Sequence, residues 1–527
     1  MKKLYFLLLC ACCFAASLSA QRIEVPANLD PLAPTVPATN LSNFVDANPT
    51  NTVFVLERGG LYYFDSKKEW EFDVAFVAES APTSLTDPMM PLIQRFNAGA
   101  TNLAPMYEGT GNFTIDGCHV IMGEESPTAG NFENSSIRPR GIDKRYIFRN
   151  CWIEKSRQAI ARIEGDGSKS YVENCFIQNM GDYQRFQGNG RLIDVRSTAA
   201  DSVVIRNSVI GNILDRLYIG FRQRSNNYFE FSSNTVYNHV GRHGLIQLSN
   251  TREAVINNNL FSNPKMMGTT PSISDEQLGS KGVVTYLFTS DSIPEGGSIE
   301  MKNNNIFYTD DVLDYFNSTD TVDRCPVFGP NFLAVLGDSS EAYFTEVVDL
   351  GNVPGRERVL NYTKQAINDR SSTDLLDMMV EPISRSGSPF DNGYLFDFST
   401  FDPCYSDDAA SATAATDGGR VGARTACGAE PVSLRNPLNY NAALALKAYP
   451  NPMATEVTIT YNLTETGPVS VMLYDATGKQ VATLYTGTQL AGEQSITVDA
   501  MTNMPAGMYF ANLFTPEGHM YTRIVKR

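Results

Sequence analysis

The chain has 527 residues, 42% of them hydrophobic, with a formal net charge of −16 and only four histidines. It is too long for one ordinary domain, too apolar to stay disordered, and too acidic to favour nucleic acid or an anionic membrane as a general partner. The few histidines, and a sequence without CxxC, argue against a zinc site.

Residues 1–20, "MKKLYFLLLCACCFAASLSA", begin with Lys2 and Lys3, continue through an apolar run and end on small residues. This pattern predicts a secretory signal peptide cleaved before Gln21. Lipid anchoring through Cys12 or Cys13 is the alternative. Cleavage leaves 40 basic against 58 acidic residues and six cysteines: Cys118, Cys151, Cys175, Cys325, Cys404 and Cys427. An even number in an exported chain permits disulfides without proving them. No later apolar stretch reaches about 18 residues, so no transmembrane segment is expected after signal cleavage.

A lead segment, 21–51, precedes a region of internal repetition. "YIFRNCWI", "YVENCFI", "VVIRNSVI", "FEFSSNTVY", "AVINNNLF" and "IEMKNNNIF" share one pattern, with "FTIDGCHVI" as a forerunner. Aligned on Asn150, Asn174, Asn207, Asn234, Asn258 and Asn304, with Gly117 in the first copy, they mostly return every 24 to 33 residues. The Asn234 and Asn304 copies carry one extra residue. Period-two strands interrupted by a residue that tolerates the left-handed region predict a coil bending at the same corner each turn, a parallel β-helix. Two places after the corner stand His119, Trp152, Phe176, Val209, Val236, Leu260 and Ile306, expected to point inward. One place before it, Asp116, Arg149, Glu173 and Arg206 alternate in sign, as an outward ladder of paired charges would. Cys118, Cys151 and Cys175 follow the corner directly and read as small apolar filler, with a disulfide or redox role as the alternative. His119 reads as a core or capping residue.

On these columns the region 52–427 resembles right-handed parallel β-helix proteins of the pectate-lyase-like group, in particular chondroitinase-B-like and alginate-lyase-like secreted proteins of Bacteroidetes. "VFVLERGGLYYFDSKKEWEFDVAFVAES" is similar to their opening rung and "AASATAATDGGRVGART" to their Gly-rich closing segment. The repeat swells between Asn263 and Ile299, where one surface loop is expected, and fades from Tyr308 to Asp402, where "TKQAINDRSSTDLLDMMVEPI" has helical spacing.

After a linker, 428–446, short alternating strands with tight turns at "TGK" and "PAG" predict a small β-sandwich over 447–527. Tyr449, Pro450, Asn451 and Pro452, "LYDATGKQV", "PAGMYF" and the final Lys526 and Arg527 closely resemble the type A sorting domain of the type IX secretion system. The resemblance implies Sec export, passage across the outer membrane through the type IX machinery, and a secreted or surface-attached product. The fold class expected for the whole is all-β, a right-handed parallel β-helix followed by a small C-terminal β-sandwich.

A further strand series, "ARIE", "IDVR", "IGFR" and "IQLS", places Ile163, Val195, Phe221 and Leu248 inward. Two outward columns remain: Arg162, Asp194, Gly220 and Gln247, and beside them Glu164, Arg196, Arg222 and Ser249. Uronate lyases, the activity the resemblance implies, need a cation or arginine on the substrate carboxylate, a base and a proton donor. The candidates are Glu164 and Asp194 as Ca2+ ligands, Lys169 or His243 as base, and Arg162, Arg196 and Arg222 on an acidic polysaccharide. Arg242 flanks His243. Equally, Glu164 over Arg196 and Arg162 over Asp194 read as structural salt-bridge ladders. The two functions left open are a protein that binds, and by β-elimination cleaves, an acidic polysaccharide, and a non-catalytic surface adhesin.

Overall fold

Asparagine sets the pitch of the coil. In the computed structural model, the left-handed backbone region is occupied at Gly117, Asn150, Asn174, Asn207, Ser233, Asn258 and Asn303, one residue per turn. After glycine, a short polar side chain that bonds locally bears this conformation at the lowest cost. The corner amides stack along the axis: Asn174 Nδ2 donates to Asn150 Oδ1 at 3.2 Å, and Asn207 Nδ2 to Asn174 Oδ1 at 2.7 Å. A second corner repeats the device at Lys155, Asn179, Asn212, Asn238 and Asn263. In the two copies with an extra residue the corner falls on Ser233 and Asn303, not on Asn234 and Asn304 as expected. Those two turn inward with Asn259 and form a fully buried amide ladder, Asn234 to Asn259 at 3.1 Å and Asn259 to Asn304 at 2.8 Å.

The structure describes residues 22–27, 38–50, 52–95, 105–122, 137–181, 190–241, 243–269, 286–318, 322–368, 384–386, 395–397, 401–427, 444–453, 456–463, 466–475, 480–498, 504–515 and 518–527. The expected signal peptide, most of the linker, the centre of the loop between Asn263 and Ile299, the latter part of the predicted helix after Asn368, the "TGK" turn and Arg242 lie outside these residues. The chain divides into two units, Ala20–Val432 and one that contains Ser433–Arg527.

In the larger unit three parallel sheets alternate along the chain. Among the described residues, sheet 1 has ten strands, from Arg22–Val25 to Ser298–Lys302; sheet 2 has eleven, from Thr39–Asn40 to Tyr343–Phe344; sheet 3 has five, from Ala159–Ile163 to Phe288–Ser290. Single bridges Lys68–Tyr107, Tyr107–Ile137 and Ile137–Ala161 carry sheet 3 towards the first rungs. The coil thus starts before residue 52: Arg22–Val25 pairs in register with Val53–Leu56. Helix α1, Leu41–Ala47, is capped by the Asn40 side chain and buries Leu41 and Val45 in the coil's core.

Sheet 1 shows the expected charge ladder. Asp116, Arg149, Glu173 and Arg206 are consecutive register partners, and Arg149 Nη2 lies 2.7 Å from Asp116 Oδ2. Sheet 2 corrects the direction of its column. Cys118, Cys151 and Cys175, with Ile153, Ile177 and Ile210, join the coil's interior, and all three thiols are free and buried. Trp152, Phe176, Val209 and Leu260 therefore face away from it and form a second core with Tyr405, Ala412, Ala415, Val421 and Ala423. His119 stacks on Trp152 with ring centroids 3.7 Å apart and lies 2.9 Å from Glu154. Val236 and Ile306 do point inward, because the extra residue of their rungs shifts the alternation.

The Gly-rich segment expected to close the coil is instead a strap across the outside of sheet 2. Ala414 O accepts from Asn303 Nδ2 at 2.7 Å, Thr416 N donates to Asn258 Oδ1 at 2.9 Å, Ala423 N to Thr235 Oγ1 at 2.9 Å, and Arg424 N to Asn207 Oδ1 at 2.8 Å. A Cys404–Cys427 disulfide ties the strap's ends together. Helices α2, Asp310–Asn317, and α4, Arg356–Asn368, bury Val312, Phe316, Val359 and Tyr362 against Leu214, Val240 and Met266 beside the coil. Helix α3, Pro330–Leu336, inserts Phe332 into the coil's core near its last strands.

The smaller unit is antiparallel, with a three-stranded sheet (Lys447–Tyr449, Val457–Leu463, Gly492–Val498) and a four-stranded sheet (Gln480–Gln489, Gly467–Asp475, Gly507–Thr515, Gly518–Lys526). Ile459, Val471, Leu473, Leu513 and Ile524 form its core.

Candidate functional site

Sheet 3 sets the spacing of its outer side chains. Arg162 stands opposite Asp194, and Asp194 opposite Ile219. Gly220, expected in that column, is displaced by a register shift between Asp194 and Arg196 that sets Arg196 opposite Arg222. Bulges of this kind re-aim side chains. The bridge at Ile137 extends both columns by another turn, placing Arg138 beside Arg162 and Arg140 beside Glu164.

Seven arginines, Arg138, Arg140, Arg162, Arg191, Arg196, Arg216 and Arg222, gather around the four carboxylates of Glu108, Glu164, Asp194 and Asp215. Glu108 lies 3.3 Å from Arg138 and 3.5 Å from Arg140, and Glu164 lies 3.2 Å from Arg140 and 2.9 Å from Arg162. Asp194 Oδ2 accepts from Arg191 and Arg196, both at 2.8 Å. Asp215 Oδ2 lies 3.4 Å from both Arg191 and Arg216, and its Oδ1 lies 2.6 Å from His243 Nδ1. Lys67 also reaches Glu108, and Gln247 links the face to Asp291 at 3.1 Å.

The guanidinia crowd one another. Burial, then Arg196 and Arg138, push Arg162 below its usual range; burial and Arg196 do the same to Arg222. Burial takes Arg216 down to about 10. Asp215 is held well below the usual carboxylate range: burial opposes this, but Arg216, His243 and Arg191 together outweigh it. The result is a surplus of positive charge on one face of a chain whose net charge is −16.

The structure gathers Arg162, Glu164, Asp194, Arg196 and Arg222 on this face and His243 at its edge, but not Lys169. That lysine belongs to sheet 1, in register with Arg145 and Ser202, and lies 3.2 Å from Asp201. The calcium expectation meets an unfavourable donor set. Glu164 and Asp194 each serve two guanidinia, which cancel the charge a cation would draw on, and no group of three or more His, Cys, Asp or Glu able to hold a metal occurs among the described residues. Sequence reasoning missed Arg138, Arg140, Arg191, Arg216 and Asp215. Arg138 and Arg140 follow an isolated bridge at Ile137, Arg191 is the first residue of its strand, and Asp215 and Arg216 lie in the turn before Tyr218–Arg222, so no periodic signal marks them.

Comparison with curated proteins finds no match to the chain. Residues 447–527 match the secretion system C-terminal sorting domain family. The tail is a type IX sorting domain that engages the type IX machinery, and the chain is a cargo delivered to the cell surface or beyond it.

Proposed function

We propose that this cargo binds an acidic polysaccharide along the outer face of sheet 3, and that a hexuronate polymer is its substrate as well as its ligand. The observation that carries the reading is the surplus of guanidinia held on four successive rungs about 4.8 Å apart, close to the length of one pyranose. A linear polymer with one carboxylate per sugar presents the complementary row of charges, and planar guanidinia grip carboxylates in two-point bonds. Arg162, Arg196 and Arg222 hold the polymer, with Arg138 and Arg140 extending the grip. Guanidinia on a uronate carboxylate also acidify the carbon proton next to it. His243 is a base at the edge of the face: it takes that proton, the electron pair left on carbon forms the new double bond as the bond to the glycosidic oxygen breaks, and that oxygen takes a proton from solvent water, to which His243 afterwards returns its own.

The test is retention of the full chain on immobilised polygalacturonate, alginate and chondroitin sulfate, with unsaturated-uronate absorbance read in parallel. Arg140→Ala with Arg222→Ala is the informative variant, because both side chains are exposed and their loss costs only about 0 to 1 kcal/mol of stability. Retention should fall at least about tenfold, as for the loss of two charge-assisted contacts. Unchanged retention ends the reading; retention without any rise in absorbance leaves a binding protein that does not cut.

A further inference from the structure

A buried carboxylate is costly unless its partners repay it. Asp215, in the turn between Val209–Ile213 and Tyr218–Arg222, is fully buried and serves as a hub. Two histidines four residues apart meet it in opposite ways. His239 Nε2 donates to the Asp215 backbone carbonyl, and its Nδ1 accepts the Lys265 backbone N–H at 3.2 Å. Both ring nitrogens are thus committed within the fold, and His239 has no exposure. His243 instead places Nδ1 against the Asp215 carboxylate at 2.6 Å. An ionised carboxylate only accepts, so Nδ1 carries the proton and the lone pair of the neutral ring is on Nε2. The residue sits at the rim, 8% exposed, next to the guanidinia of Arg191 and Arg216.

We infer that Asp215 is the positioning residue of the arginine face: its Oδ1 fixes the tautomer and orientation of His243, while its Oδ2 spaces Arg191 and Arg216 alongside. The hexuronate as ligand rests on the function proposed above; the orientation of His243 does not. Among the described residues, the charged groups around the pair include Arg191 and Arg216 on the carboxylate, His239 and Lys265 behind it, and Asp194 beyond Arg191. Lys265 is itself engaged by the Gly241 carbonyl at 2.9 Å.

The experiment is imidazole nitrogen-15 NMR on the labelled full chain, practicable because it has only four histidines. Neutral His243 should be the Nδ1–H tautomer in the wild type. Asp215→Asn should lower the His243 titration midpoint by at least about one pH unit, since the carboxylate goes while both arginines stay. Retention on polygalacturonate, measured from about pH 5 to 8, should strengthen on the acid side, with its midpoint displaced by the same amount in Asp215→Asn and its pH dependence lost in His243→Gln. An Nε2–H tautomer in the wild type, or an unmoved His243 midpoint in Asp215→Asn, overturns the inference whether or not the polymer binds. The expected NMR behaviour with no retention by the wild type leaves Asp215 in its role and removes the polysaccharide reading. Should Asp215→Asn fail to fold, the wild-type tautomer and the His243→Gln retention profile still decide.

Discussion

His239 and His243 share one aspartate, and His239 is the more deeply buried of the two. Burial, against the pull of Asp215, pushes His239 down to about 4, compared with about 6.5 in an unfolded chain. A folded value below the unfolded one means that the contribution to stability is complete above about pH 6.5 and is lost as pH falls towards 4, amounting to about 3 kcal/mol. Urea midpoints measured across that window should therefore fall, and His239→Gln should flatten this part of the profile. An equally steep profile in the variant assigns the loss to other groups. His243 was legible in the sequence because it stands in a loop before a strand of the candidate face. Asp215 was not, since a carboxylate next to an arginine in a turn looks like any solvated pair until the fold buries it.

At the scale of elements, the strand positions follow from the sequence, and so does the direction of the sheet 1 ladder and of Ile163, Val195 and Leu248 in sheet 3, whereas Trp152, Phe176, Val209 and Leu260 of sheet 2 face the opposite way from the one expected. Phe176 and Val209 share a face, as their spacing from the corner requires, but that face is outside the coil. A strand buried on both sides is a nearly continuous apolar run, so alternation cannot say which side is in. What covers the outer side is a segment more than a hundred residues later in the chain. Phe176→Ala should still cost about 3 to 5 kcal/mol, read from denaturant midpoints, because Phe401 packs on its ring with centroids 4.6 Å apart. A cost below about 1 kcal/mol, typical of exposed sites, means that the strap does not seal this face in solution. Replacing Cys404 and Cys427 by serine opens a loop whose ends are 23 residues apart, worth about 3 kcal/mol on loop-entropy grounds. Reductant should lower the melting temperature of the wild type and leave the double variant unchanged; equal response in both would assign the effect to other thiols.

For the whole molecule, the corner repeat and the local turn chemistry of the tail made the architecture readable, because both are written in short stretches of sequence. The strap and the far ends of the arginine face were hidden, since each joins segments that only the finished coil brings together. Delivery is the property to test at this scale. Removing Tyr449–Arg527 deletes nearly all of the sorting domain and should leave a folded product that fails to reach the cell surface, as surface proteolysis and fractionation will show. Normal surface amounts of the truncated chain contradict the role of the tail.

In a stack of rungs each turn touches only its neighbours, so unravelling ordinarily starts at an end and runs inward one turn at a time. The strap changes this, because its backbone is hydrogen-bonded to Asn303, Asn258, Thr235 and Asn207, residues of four different turns. No one of these turns can peel away without tearing the strap from the other three. The coil from Asn207 to Asn303 thereby acts as a single cooperative block with one opening free energy, and its amide protons should exchange at a common rate rather than in a gradient from the last rung.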